Sequence, residues 1–330
     1  MARKLRLEYA GACYHVLNRG NYRRNLFTGK GARESFQGCL FEAARRFGWR
    51  LHAFVIMANH FHPAVETPEP NLSEGMKWLQ GTWATRFNRF RGEAGRPFQG
   101  RYKALHVEPG HPLAQVAHYI HLNPVRAGIV PAERLREYRW SSLPLFAGKQ
   151  RPGVLEAVTI LAESGGLPDT AAGWRRHVGY LDLLAEEEAS MREKKFGRLS
   201  RGWVVGSAEF KAGLKQDLAA KGSSLERLEL MGADRDGQRE LRRELWEEKL
   251  QQGAKRLGIG LTQLPPRRSA PEKVRLAALM KMATSVANGW LAERLMMGKP
   301  ASVSQYVRRF ELAGRANERD FKRALSRVTT

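Results

Sequence analysis

The sequence predicts an α+β fold: an antiparallel sheet carrying helices, followed by a mainly α-helical C-terminal region. Three observations carry this reading. Within the first 146 residues, runs rich in β-branched and aromatic residues alternate with runs of helical period. Their order is strand, helix, strand, strand, helix, strand, helix. Beyond about residue 150 acidic residues become frequent and helical patterns dominate.

The elements follow in order. Residues 12–18, ACYHVLN, alternate as a strand does, and the basic loop RGNYRRNLF follows. In residues 31–47, Phe36, Leu40, Phe41, Ala44 and Phe47 recur at helical spacing, and Gly48 closes that helix. WRLHAFVIM and HFHPAVET are two β-rich runs joined by a tight MAN connection, a hairpin. The helix opening at Asn71, a candidate cap, places Leu72, Met76, Leu79, Trp83 and Phe87 on one face. GRYKALHVE is a further strand. HPLAQVAHYIHLN is a helix that Pro124 must end, because the residue before proline disfavours helical geometry. This order is close to a ferredoxin-like core. The expected domains are 1–146, a connecting helical region 147–254, and a helical unit 255–330 ending the chain.

Composition narrows the function. Lys and Arg total 56 against 33 Asp and Glu, a formal charge of +23. That balance points to a polyanionic partner, nucleic acid first. No run of eighteen apolar residues occurs, and MARKLRLEYAG lacks the apolar stretch of a signal peptide. A cytoplasmic, nucleoid-associated protein with no membrane partner is the expectation. Cys13 and Cys39 read as reduced packing residues. No aspartate precedes Asp169, so the first 150 residues cannot build an aspartate-clustered metal site.

Other ligands are available there. On a strand, alternate residues share a face, so His60 and His62 point the same way and Phe61 points toward the core. Two imidazoles on one face can hold a divalent ion, although such pairs more often face solvent or make hydrogen bonds. Tyr119 and Asn123 lie four residues apart, one helical turn along a common face. Taken alone, they read as a satisfied buried tyrosine and a helix-closing asparagine. Together the four residues describe a chemistry. A metal held by His60, His62 and Asn123 would polarise a phosphodiester oxygen, and Tyr119 would attack phosphorus. Mg²⁺ or Mn²⁺ suits the ligand set, Mn²⁺ better matching imidazole.

The stretches CYHVLNRGNYRRNLF, FVIMANHFHPAVE, GRYKALH and HYIHLNPVRAGIV…YRWSSL resemble the REP-associated tyrosine transposases, members of the single-tyrosine HUH transposases. The resemblance spans residues 5–146. It implies an HUH nuclease core, His60 and His62 as the paired histidines, Asn123 as third ligand and Tyr119 as nucleophile. It implies a single-stranded DNA substrate, a palindromic hairpin with a short tetranucleotide at its foot, cut and rejoined through a 5′-phosphotyrosine. The chain departs from the family at Pro63, where an apolar residue with an N–H is usual, and at Ala58, where proline is frequent. Pro63 is expected to cost a ladder hydrogen bond just past His62.

DNA contacts are expected from a basic arm, Arg3 and Lys4, tracking phosphates, and from Arg19, Asn21, Arg23 and Arg24 after the first strand. Arg86, Arg89 and Arg91 would extend the basic field, with Phe87 and Phe90 in the core. In the last unit, VANGWLAERLMMGKPASVSQYVRRFE resembles the helix-turn-helix of replication-initiator DNA-binding domains. Leu291, Leu295, Val303, Val307 and Phe310 would pack inside, and Ser302, Ser304, Gln305 and Arg308 would face duplex DNA. The expected activity is a metal-dependent single-stranded DNA endonuclease and strand transferase, acting as monomer or homodimer. A non-catalytic hairpin-binding regulator is the alternative. Charge alone leaves an RNA-hairpin binder open, but that gives the His-His-Tyr-Asn set no purpose.

Overall fold

The computed structural model describes residues 7–148, 150–186, 199–220 and 235–329. The expected basic arm, Arg3 and Lys4, and most of the charged run 183–198 lie outside them. Two compact units form: Met1–Gly222 with Glu229–Gln238, and Ser223–Leu228 with Arg239–Thr330.

In the first unit five strands make one sheet in the order β2-β3-β1-β4-β5. They are β1 (Ala12–Arg19), β2 (Arg50–Ile56), β3 (His60–Thr67), β4 (Lys103–Val107) and β5 (Val204–Val205). The first four pair antiparallel, and β5 joins β4 in parallel. Helices α1 (Ala32–Arg46), α2 (Leu72–Arg91) and α3 (His111–His121) connect or follow them. This is the α+β architecture, with the ferredoxin-like order of elements that the periodicities predict. β5 comes from GWVVGSAEF, whose role the sequence alone left open.

The alternation of β3 decides what each face holds. Phe61 leaves one face and is buried against Phe36 of α1 and Phe98, with ring centroids at 4.5 and 5.8 Å. α1 and α2 pack together on that side, burying Trp83 and Leu40 as well. His60 and His62 leave the opposite face, where α3 lies against β2 and β3. The aromatic core thus fixes the direction of both histidines by filling the only other side available to the strand.

Pro63 sits inside this sheet, and the cost is visible. Phe54, its neighbour on β2, turns its N–H and carbonyl outward to Ser142. The Pro63 nitrogen therefore faces β1. There the β1–β3 pairing lapses at Val16 and Leu17, between His15↔Ala64 and Asn18↔Phe61. A ring nitrogen with no hydrogen cannot donate to the ladder.

Downstream, α4 (Asn123–Arg126) begins directly after α3, with Pro124 in its first turn, where a missing N–H costs nothing. Short helices α5 (Leu143–Phe146) and α6 (Val158–Glu163) lead to α7 (Ala171–Glu186), and α8 (Ala208–Ala220) follows β5. Phe146 stacks on Trp174 at 4.6 Å, tying α7 into the same core. Asn71 does not cap α2. Its side chain accepts from Trp49 Nε1 at 2.8 Å and donates to the Phe47 carbonyl at 2.9 Å, so tertiary partners outbid the local cap.

The second unit contains α9 (Arg235–Leu257) from Arg239 onward, with α10 (Pro271–Ala283), α11 (Asn288–Arg294), α12 (Pro300–Leu312) and α13 (Arg319–Thr329). Leu291, Leu295, Val303, Val307 and Phe310 are buried together, as the spacing predicts. Ser304, Gln305 and Arg308 are exposed on α12, and Ser302 is half-buried. Between α11 and α12 the chain turns through Met296 and Gly298, both at positive φ. Among the described residues no helix is long and apolar enough to cross a membrane.

A candidate active site on the α3 face of the sheet

On the α3 face, β1, β3 and β4 present a row of polar side chains to an open cleft of about 910 Å³. His60, His62 and Tyr119 line it together with Arg19, Arg23, Arg101, Lys103 and Arg201. Among the described residues no carboxylate lines it. Such a wall repels acids and attracts phosphates.

The two histidine rings lie 5.1 Å apart, centroid to centroid, and Tyr119 packs 5.9 Å from His62. Arg126 of α4 lies over the Tyr119 ring, its guanidinium carbon 4.7 Å from the centroid. The tyrosine comes from a helix and the histidines from a strand more than fifty residues earlier, so the sheet–helix packing alone unites them.

Each imidazole is held through Nδ1. His60 Nδ1 is 2.6 Å from Asn59 Oδ1, and the Asn59 amide is oriented by donating from Nδ2 to the Arg23 carbonyl at 3.2 Å. His62 Nδ1 is 2.9 Å from His15 Nε2, and His15 Nδ1 is 2.6 Å from the Leu199 carbonyl. Among the described residues no hydrogen bond reaches Nε2 of His60 or His62. Burial pushes His60 down to about 4, with Arg19 adding to the effect. Burial also pushes His62 well below the usual range, aided by His15, His60, Arg126 and Lys103. Both rings are therefore neutral near pH 7, the form that ligates metal.

Asn123 is buried at the start of α4 and does not itself line the cleft. Its amide nitrogen donates to the Tyr119 carbonyl at 2.9 Å, which leaves the oxygen as the atom available for a cation. The structure brings His60, His62 and Tyr119 together in the cleft but not Asn123; two neutral imidazole nitrogens are donors of the kind that ligate a divalent ion.

A second group of metal-capable side chains lies further along the same sheet. Cys13, His52 and Glu66 bring one ligand atom each within 4.8 Å of one another. Glu66 is already bound there by Arg50 at 2.9 Å and by His52 at 3.1 Å. Burial, with Glu66 alongside, pushes the Cys13 thiol up to about 12. A guanidinium and a neutral thiol make this the poorer cation site of the two.

Of the expected DNA contacts, Arg19 and Arg23 line the cleft, while Asn21 and Arg24 do not. Arg24 pairs with Glu93 at 2.6 Å on the surface. The α2 arginines serve a different place. Arg86 and Arg91 line a smaller hollow of about 220 Å³ with Phe90 and Lys30. Phe90 itself is 77% exposed, against the expectation that it packs in the core; Phe87 is buried as expected. Sequence reasoning passed over His15, Asn59, Gln99, Arg101, Lys103 and Arg201. His15 carried one local signal, a histidine in an alternating strand, but nothing in that strand names its partners.

Residues 9–123 match a protein-family model described as IS200-like transposase. No curated protein matches the chain. Among solved structures, a REP-associated tyrosine transposase bound to a REP hairpin is 18% identical, with a TM-score of 0.38, over 48% of this chain and 93% of that one. A protein described as a transposase from Deinococcus radiodurans R1 is 21% identical, with a TM-score of 0.27, over 39% of this chain and 92% of that one.

Proposed function

With an IS200-like transposase domain at residues 9–123 as the premise, we propose that this chain is a metal-dependent single-stranded DNA endonuclease and strand transferase. Its substrates are palindromic hairpins, and it works through a 5′-phosphotyrosine intermediate. The observation that carries the reading is the convergence of His60, His62 and Tyr119 on one cleft lined by Arg19, Arg23, Arg101, Lys103 and Arg201.

The residues take distinct roles. Arg19, Arg23, Arg101, Lys103 and Arg201 bind and orient the phosphate backbone of the strand. Tyr119 supplies the nucleophile. The phenol gives up its proton to water, its oxygen forms a bond to phosphorus, the P–O3′ bond breaks, and the 3′ oxygen takes a proton from water and leaves as a hydroxyl. The phosphotyrosine keeps the bond energy, so the reverse attack by a 3′ hydroxyl rejoins strands. His60, His62 and Asn123 would hold Mg²⁺ or Mn²⁺, which supplies Lewis-acid polarisation of a non-bridging phosphate oxygen. The α3–α4 junction keeps Tyr119 and Asn123 in fixed relation, since the Asn123 amide bonds back to the Tyr119 carbonyl.

Domain roles follow. Residues 1–146 carry the cleavage chemistry. Residues 255–330 contribute duplex contacts through Ser302, Ser304, Gln305 and Arg308 on α12, in a helix-turn-helix manner. Arg3 and Lys4, as a basic arm, track phosphates, and Asn21 and Arg24 add contacts at the rim. The protein acts in the cytoplasm, close to DNA, as monomer or homodimer.

A second reading has one observation behind it. The ladder gap at Pro63, beside His62, favours a hairpin-binding regulator that has lost cleavage. One experiment separates the two. Labelled single-stranded hairpin DNA is incubated with the protein and Mn²⁺ and resolved on a denaturing gel. A covalent adduct, absent from Tyr119→Phe although that variant still binds, supports the nuclease. Hairpin binding with neither adduct nor nick under any divalent ion makes the regulator the correct reading.

A further inference from the structure

We infer that His15 is a positioning residue for His62, and that the segment beginning at Leu199 completes the cleft by fixing the tautomer of both rings. The inference rests on the metal-site reading above, and it assigns a role to part of the region between the two DNA-contacting ends of the chain.

The argument starts at a carbonyl. Leu199 O can only accept, so the 2.6 Å contact requires a proton on His15 Nδ1. A neutral imidazole with its proton on Nδ1 has an acceptor at Nε2. The 2.9 Å contact from His15 Nε2 then requires His62 to donate from Nδ1. His62 is left with its lone pair on Nε2. His15 and Leu199 are buried, so water offers the His15 ring no competing partner. Each step is forced by the previous one, and the sequence of forced steps begins outside the 9–123 segment.

The acceptor is itself held still. Lys103 Nζ donates to the Ser200 carbonyl at 2.7 Å. His106 N donates to the Trp203 carbonyl at 3.0 Å, and Glu108 N to the Val205 carbonyl at 2.9 Å. Ser207 N donates to Glu108 Oε2 at 2.6 Å. The segment is thus zipped to β4, and β5 is part of that zipper. Asn59 does for His60 what His15 does for His62, its amide donating in turn to the Arg23 carbonyl. Partners of this kind typically change metal affinity by about 10- to 100-fold.

The test uses the full chain and Mn²⁺. His15→Phe keeps the ring and removes both nitrogens; His15→Gln keeps a donor and an acceptor about as far apart. Mn²⁺ affinity is measured by titration calorimetry, with hairpin affinity and circular dichroism as folding controls. The expected result is a loss of about 10- to 100-fold in Mn²⁺ affinity for His15→Phe, and recovery toward wild type for His15→Gln. Long-range ¹H–¹⁵N spectra of the wild-type histidines report the protons directly, whether or not either variant folds. Protons on Nδ1 of both His15 and His62 are expected. A proton on His62 Nε2, or unchanged Mn²⁺ affinity in folded His15→Phe, overturns the inference. A wild type that takes up no Mn²⁺ and forms no adduct ends the nuclease reading instead, and the tautomers then decide the relay by themselves.

Discussion

Acid should loosen the helix that carries Tyr119. The side of α3 turned away from the cleft holds His118 and His121, and both rings meet His177 of α7, at 5.4 and 6.2 Å. His177 is fully buried, bonded to Ser164 Oγ at 3.0 Å, and burial pushes it down to about 4. His121 is driven in the same direction, by burial first and then by His177 and His118. The unfolded chain takes up a proton near 6.5 that the folded chain refuses until about 4. The stabilisation is therefore complete above pH 6.5 and is lost as pH falls toward 4. For His177 alone, moving from pH 8 to pH 5 removes about 2 kcal/mol, from the ratio of the two proton-binding polynomials. Urea unfolding followed by tryptophan fluorescence at both pH values measures this. His177→Gln should shrink the pH 8-to-5 loss by about that amount while lowering stability at pH 8. A variant that keeps the wild-type pH slope refutes the reasoning, since the proton would then be entering elsewhere.

Three further outcomes are expected. Gly75→Ala drives a methyl into the indole of Trp49, which Asn71 holds by its Nε1, so stability should fall by about 1–3 kcal/mol in urea unfolding. Arg101→Ala should leave the fold intact and reduce the salt dependence of hairpin binding, lowering the slope of log K against log salt by about 0.7 in a filter or fluorescence titration. Pro63→Val returns an N–H opposite Val16; the yield of covalent adduct with Mn²⁺ should rise while hairpin affinity holds, and an unchanged yield would clear Pro63 of any effect on the site.

Much of the fold was legible because local pattern and burial agree. The alternation of ACYHVLN and HFHPAVET marks strands whose odd and even residues part company, and the structure buries Phe61 and turns His62 to the other side. The helix holding Tyr119 reads from its period, and its end just before Asn123 reads from Pro124. These signals lie within a few residues of one another, and short-range geometry is what periodicity encodes. Where a side chain has distant suitors, the pattern fails. Asn71 reads as a cap yet serves Trp49 and Phe47, and Phe90 continues an apolar period yet faces solvent.

The sequence by itself determined the element order of the first 146 residues, which residue types could hold a metal or act as a nucleophile, and a surplus of positive charge that calls for a polyanion. Only the tertiary structure decided that a strand and a later helix share one cleft, and that Lys103, Arg101 and Arg201 join its wall. It alone joined His15 to a carbonyl 184 residues away. Hydrogen-bond partners across a sheet depend on register and on which chain segment docks at its edge. Those are properties of the folded whole, set by packing and invisible to any window of the chain.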